Sequence, residues 1–384
     1  MMLRGLTVAV AAGVALCAVL VPRAPDPATR DGGARLELGP GLDPAGFARA
    51  TAIQEYHLPE DHGPHLEYQT EWWYYTGNLA AADGRRFGFQ LTFFRRGLAP
   101  GRVAGPGLAT HQIYFAHLAI TDVAAREHLF AERWSRGAGG LAGAEGAPFR
   151  VWLEGWRAET AGGDDAVRLL AREGSLLVDL ELEARKPLVR HGERGLSPKS
   201  DEPGNASHYI GYTRLSARGR LAARGDPTPV SGEAWFDHEW STSALGAGAV
   251  GWDWFSLQLE DGHELMYFQI RRENGATAAV SGGTLVDDAG RTRRLGAAAV
   301  SLAALDHWTS PHTGTTYPSR WRLRVPREGL DLVVEPWLPD QEMRTSFVYW
   351  EGAVRVSGTR RGRTLGGHGY VELTGYARSM QGVF

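Results

Sequence analysis

The sequence predicts an all-β protein, two tandem antiparallel β-barrels that follow an N-terminal signal or anchor segment. Three observations carry this expectation. Aromatic and β-branched runs alternate with glycine-rich turns in a 384-residue chain that holds 50 glycines, 20 prolines and 10% aromatic residues. Helical periodicity is nearly absent beyond the first 22 residues. The second half also repeats the first in outline, as two copies of one supersecondary plan would.

The repeat is anchored at two turns. When Asp83-Gly84 is laid on Asp261-Gly262, the WWYYTGNL run from Trp72 falls on WDWFSLQL from Trp252, and both hairpins end in Arg-Arg, at Arg95-Arg96 and Arg271-Arg272. The closing strands rhyme as well. GEAWFDHEW and GGHGYVELTGY each come after a Val-Ser-Gly, at 230–232 and 356–358. A length prior of roughly 100–200 residues per domain agrees with two domains. The boundaries are set at 57–241 and 242–384.

In chain order, MMLRGLTVAVAAGVALCAVLV places Arg4 ahead of an apolar run. Residues 1–22 therefore read as a signal peptide or a membrane anchor, so the body is expected outside the cytoplasm: periplasmic, secreted or anchored. Cleaved and anchored forms both remain open, and membrane contact is expected through this segment alone. The single cysteine, Cys17, lies within it and fits an acylation site poorly, because Leu16 is not small. Residues 23–56, rich in Pro, Ala, Gly and Asp, read as a linker.

From Tyr68, two aromatic runs around Asp83-Gly84 form a hairpin. HQIYFAHLAITD follows as a strand, and VDLELEA alternates Val178, Leu180 and Leu182 with Asp179, Glu181 and Glu183, the pattern of a sheet with one buried face. The polar stretch from His191 to Tyr209 is about 20 residues long, beyond the usual loop length, and such loops are functional or disordered. It leads into the WFDHEW strand.

The candidate chemistry gathers around the junction of the two copies. Alternation puts Phe236, His238 and Trp240 on one face of their strand, and Trp235, Asp237 and Glu239 on the other. In WDWFSLQL, Asp253 stands between Trp252 and Trp254, where the first copy has Trp73. An acid among aromatics loses hydration, which raises its pKa toward the range of a general acid. Asp253, His238 and Asp237 are thus candidate catalytic groups, with Trp240, Trp252 and Trp254 as their aromatic wall. The plainer alternatives are a rim acid paired with arginine, a structural histidine, and tryptophans that fill cores.

Several classes are set aside. Net charge is −3, so no basic surface calls for nucleic acid. No HExxH, paired CxxC or acidic calcium loop offers a metal site, and His111 and His117 lie about 20 Å apart by strand rise. No GxSxG elbow or P-loop lysine motif is present. No metal and no cofactor is expected.

EWWYYTGNL, GEAWFDHEWS, GWDWFSLQLEDG and GYVELTGY, in this order, resemble the AttH-like and carotenoid 1,2-hydratase family. The resemblance runs from about Tyr56 to Tyr376. It implies two lipocalin-like domains, a pocket for a small hydrophobic ligand, and cofactor-free addition of water to an isoprenoid double bond. It also implies roles for His238, Trp240 and an acid such as Asp253, with Tyr267 standing near that acid as a substrate-binding tyrosine. Two functions remain open: a hydratase or hydrolase acting on an isoprenoid- or lipid-like substrate, and a non-catalytic carrier of such a ligand.

Overall fold

The computed structural model describes residues 44–100, 110–163, 166–242 and 245–382. The signal or anchor segment and most of the linker lie outside the described residues. The described chain is built from two antiparallel sheets.

The first sheet begins with the predicted hairpin, β1 (Thr70–Ala81) and β2 (Arg86–Gly97), turned at Gly84, whose φ of +86° suits a residue without Cβ. It continues through β3 (Gln112–Asp122), β4 (Glu127–Arg136), β5 (Ala142–Gly146), β6 (Phe149–Leu153), β7 (Trp156–Thr160), β8 (Ala166–Glu173) and β9 (Leu176–Ala184). Two short strands, β10 (Val189–Arg190) and β11 (Leu196–Pro198), precede β12 (Ala206–Ala222) and β13 (Thr228–Ser241). The strand order is β4-β3-β2-β1-β13-β12-β9-β8-β7-β6-β5, with β10 and β11 laid on β12. The sheet curls into a nearly closed barrel.

Its interior is filled by apolar side chains such as Trp73, Phe89, Leu118, Val151, Trp156 and Leu180, all buried. Full burial of one such side chain stabilises by about 1.5–3 kcal/mol. The alternation in VDLELEA is realised, with Val178, Leu180 and Leu182 buried inside this barrel.

The second sheet comprises β14 (Ala249–Leu259), β15 (Glu264–Arg272), β16 (Gly282–Val286), β17 (Thr292–Gly296), β18 (Ser301–Thr309), β19 (Thr316–Val325), β20 (Leu330–Pro336), β21 (Glu342–Arg344), β22 (Val348–Arg360) and β23 (Arg363–Leu373). Its order is β17-β16-β15-β14-β23-β22-β20-β19-β18, with β21 on β22. The central runs of the two sheets match: β2-β1-β13-β12 corresponds to β15-β14-β23-β22. The predicted repeat is thus present in the topology. The second copy has fewer strands, β17 and β18 do not pair, and it forms a half-barrel where a closed barrel was expected.

The sheets pack back to back. Along β1, Trp73 and Tyr75 point into the barrel, while Tyr74 packs outward in a cluster with Trp235, Trp254, Met266, Phe268 and Tyr370 from both sheets. Tyr74 and Trp254 meet edge to face, ring centroids 5.2 Å apart. At one end, Lys186 and Arg214 of the first sheet bracket the buried Glu264 of β15, at 2.8 and 2.6 Å. Arg214 also binds Glu233, which His368 of β23 approaches at 3.1 Å.

Candidate functional site

Between the two sheets lies an aromatic cavity with about 810 Å³ of empty space, counted to its open mouth. Trp72, Phe94, Leu245, Trp252, Trp254, Phe268, Ile270 and Phe347 form its apolar wall. Tyr74, Lys199, Tyr209, Asp237, Glu239 and Glu372 supply its polar groups.

Strand register explains who faces it. On β13, Asp237 lies opposite Tyr74 of β1 and Glu239 opposite Trp72, so both acids share the outward face of the barrel wall. Asp237 is 3% exposed. Its Oδ1 accepts the Trp235 indole N–H at 2.8 Å and its Oδ2 the Tyr209 hydroxyl at 2.5 Å. The Tyr209 oxygen in turn accepts the Trp254 N–H at 3.1 Å. Burial outweighs these bonds and pushes the Asp237 carboxyl up to about 8. It therefore holds a proton at neutral pH.

Glu372 on β23 accepts the Trp252 N–H at 2.7 Å, and burial pushes it up to about 7. Glu239 is neutralised by Lys199 at 2.5 Å and also accepts the Ser207 hydroxyl. Lys199 itself lies over the rings of Phe268 and Tyr209, at 4.9 and 5.4 Å. Behind the wall, Glu351 of β22 accepts the Tyr74 hydroxyl at 3.0 Å, and burial raises its carboxyl well above the usual range.

Asp237 and Glu372 occupy equivalent places in the two copies. With Arg95 laid on Arg271, the pairing of β1 with β2 and of β14 with β15 sets Trp73 on Asp253 and Tyr74 on Trp254. Asp237 is the partner of Tyr74, and Glu372 is the partner of Trp254. Each copy contributes one carboxyl to the shared cavity.

The residues singled out from the sequence divide between three places. Asp237, Trp252 and Trp254 line the cavity. His238 and Trp240, although on the same strand as Asp237, face into the barrel, as alternation requires. His238 Nε2 is 2.9 Å from Glu71 Oε1, and its ring stacks on Trp73 at 4.9 Å. Trp240 is fully buried and stacks on His65 at 3.7 Å. The expectation that His238 and Trp240 join Asp237 in one constellation is therefore corrected: a sheet separates them.

Asp253 is likewise turned inward, into the half-barrel. It meets Arg271 Nε at 2.9 Å, Gln269 Nε2 at 2.7 Å and the Tyr376 hydroxyl at 3.0 Å. Burial raises its carboxyl while these three partners pull the other way. Tyr267, 2% exposed, sits in the same interior core, opposite Phe255. Neither residue reaches the cavity, because each is one strand position out of phase with Trp252, Trp254 and Phe268.

Among the described residues, His65, Glu71 and His238 form a group whose ligand atoms lie within 4.8 Å of one another. Hydrogen bonds already occupy it. Glu71 binds Arg95 at 2.8 Å and both histidines. Burial alone would raise Glu71, but Arg95 and the histidines hold it well below the carboxylate range. Burial would lower His65, yet Asp61 and Glu71 outweigh it and raise the imidazole to about 9. The Arg95 guanidinium supplies the positive charge that a metal ion would bring.

Sequence reasoning missed Glu372, Lys199 and Tyr209, and noted Glu239 without assigning it a role. Glu372 is recognised as the counterpart of Asp237 only once the strand pairing is known, because laying one Val-Ser-Gly on the other does not bring the two together. Lys199 and Tyr209 belong to the long polar stretch from His191, whose length was its only mark.

Residues 49–376 match the AttH-like family. No curated protein matches the chain. Among solved structures, an AttH from Nitrosomonas europaea is 32% identical, covers 86% of this chain and 100% of its own, and superposes with a TM-score of 0.77. The kievitone hydratase of Nectria haematococca is 15% identical, covers 86% of this chain and 96% of its own at a TM-score of 0.65, and shares the fold.

Proposed function

The chain belongs to the AttH-like family, and on that premise we propose that it is a hydratase, adding water across a carbon–carbon double bond of a hydrophobic, isoprenoid- or lipid-like substrate held between the two sheets. One observation carries this reading: two carboxyls with pKa values near neutrality, Asp237 at about 8 and Glu372 at about 7, open into one aromatic cavity. A protein of the same fold is a hydratase by name.

Burial raises both carboxyls and moves Asp237 further from its ordinary value than Glu372, so we take Asp237 as the acid and Glu372 as the base. The double bond takes the Asp237 proton, leaving a carboxylate and a carbocation. Trp252, Trp254 and Trp72 present π faces that stabilise the cation. Water adds to it and gives a proton to Glu372, which the Trp252 N–H holds in place. Glu372 then releases its proton to solvent and solvent returns one to Asp237, which restores both groups. Activity follows a bell-shaped pH profile, falling below about 7 as Glu372 protonates and above about 8 as Asp237 ionises.

The test is incubation with prenylated phenols and linear isoprenoids in heavy-oxygen water, read by mass spectrometry. The expected product is a labelled alcohol, lost by ~10²–10⁴ in rate in Asp237→Asn. Absence of label from every compound, or full turnover by the variant, overturns the reading. Binding without turnover in the wild-type protein would make it a carrier.

A further inference from the structure

One buried group beside the proposed acid has no role in the scheme above. His191 follows β10, is fully buried, and packs at a tilt against Tyr209 with ring centroids 4.3 Å apart. Its Nδ1 meets the Thr284 hydroxyl of β16 at 3.1 Å, so it bridges the two sheets. Its Nε2 has no hydrogen-bond partner and points at Asp237 Oδ1 from 3.7 Å.

A buried, unsatisfied ring nitrogen costs stability unless it is used in another state of the protein. Burial depresses His191 to about 3, so the ring is neutral and carries one proton. When the Thr284 hydroxyl donates to Nδ1, that proton sits on Nε2, the atom that faces Asp237. While Asp237 is protonated, its Oδ1 is a weak acceptor already served by Trp235. Once Asp237 has given its proton away, the same oxygen carries charge, and a second donor becomes valuable.

We propose that His191 is a positioning residue for Asp237: its Nε2–H closes onto Oδ1 as the carboxyl ionises, stabilising the conjugate base that proton donation leaves behind. The closure needed is under about 1 Å. No proton leaves the imidazole, which stays neutral throughout. The inference rests on the reading of Asp237 as the proton donor.

The other groups that face Asp237 are Tyr209 on β12, Glu239 on its own strand and Lys199 ahead of β12, while Glu372 on β23 opens into the same cavity. Of these, Lys199 is committed to Glu239, and the Tyr209 hydroxyl is already bonded to Oδ2. His191 is the neighbour with a donor to spare.

The experiment reads the ionisation of Asp237 directly, by infrared difference spectra of its carboxyl stretch against Asp237→Asn across a pH series, on the whole protein without ligand. His191→Phe keeps a ring but removes the donor. It should raise the midpoint by about one pH unit, a tenfold change in the ionisation constant, and His191→Gln, which restores a donor amide, should bring it back. Where a substrate is turned over, the alkaline limb of the rate profile should move by the same amount. An unchanged midpoint in His191→Phe overturns the inference. If that variant does not fold, Thr284→Val, which releases the ring from its tautomer, should raise the midpoint in the same direction, and no shift there overturns it. Because the midpoint needs no substrate, a protein that turns nothing over would sink the hydratase reading and leave this one to be decided by the spectra.

Discussion

The burial that raises Asp237 also sets how the fold answers to pH. Its folded pKa lies above its ordinary value, moving from 3.8 to about 8, so between these values the folded protein keeps a proton that the unfolded chain has released. The stability it contributes is full below 3.8 and is lost as pH rises through about 8. Asp237→Asn has no such dependence. It should melt at a higher temperature than the wild type at pH 8, with the gap closing toward pH 4, even as turnover collapses; equal melting curves at both pH values would contradict this. His65 has the same sign of dependence, although here it is the charged form that the fold favours: that stability is full below 6.5 and lost as pH rises through about 9. At this scale the sequence was half legible. Strand alternation placed Asp237 and Glu239 opposite His238 and Trp240, and the side chains obey it. Alternation alone cannot say which face looks into a packed barrel and which onto a second sheet. Asp253 drew notice as an acid in a tryptophan's place, and its explanation is an arginine: Arg271 pairs with it as Arg95 pairs with Glu71 in the other copy.

At the scale of elements, β13 works because its two faces do different things, and its neighbour β12 must come close without filling the space. Gly211 of β12 pairs with Asp237, and a Cβ there would sit 2.5 Å from Phe236 O and 2.5 Å from Asp237 Oδ1. Gly211→Ala should therefore destabilise by about 1–3 kcal/mol through overpacking and push the carboxyl off the Trp235 N–H that holds its Oδ1. Thermal unfolding checks the first effect. The shifted alkaline limb of the activity profile checks the second. Both hairpins announced themselves by their Asp-Gly turns, since Gly84 and Gly262 have φ of +86° and +80°. The stretch from His191 to Tyr209 was harder, because β11 is three residues long, shorter than any periodicity can reveal. Yet it delivers His191, Lys199 and Tyr209 to one place.

For the molecule as a whole, the site depends on how two sheets sit against each other. Glu264 is the charge that holds Lys186 and Arg214 at that seam. Glu264→Ala leaves Lys186 without its carboxylate and Arg214 with Glu233 alone, and should cost about 3–5 kcal/mol, seen as a lowered denaturant midpoint, with weaker ligand binding because the cavity walls lose their register. A variant with unchanged midpoint and affinity would show the seam to be held by its aromatics alone. The duplication was legible from turns and closing strands. The back-to-back packing was not, because its contacts join residues far apart in the chain: Tyr74 bonds Glu351, 277 positions away. The duplication also has a consequence for any attempt to divide the chain. A lone copy, with its interior full and a single carboxyl on its outer face, would carry half of the proposed acid–base pair and no opposing wall, so neither half alone is expected to hold the ligand that the cavity between them would take.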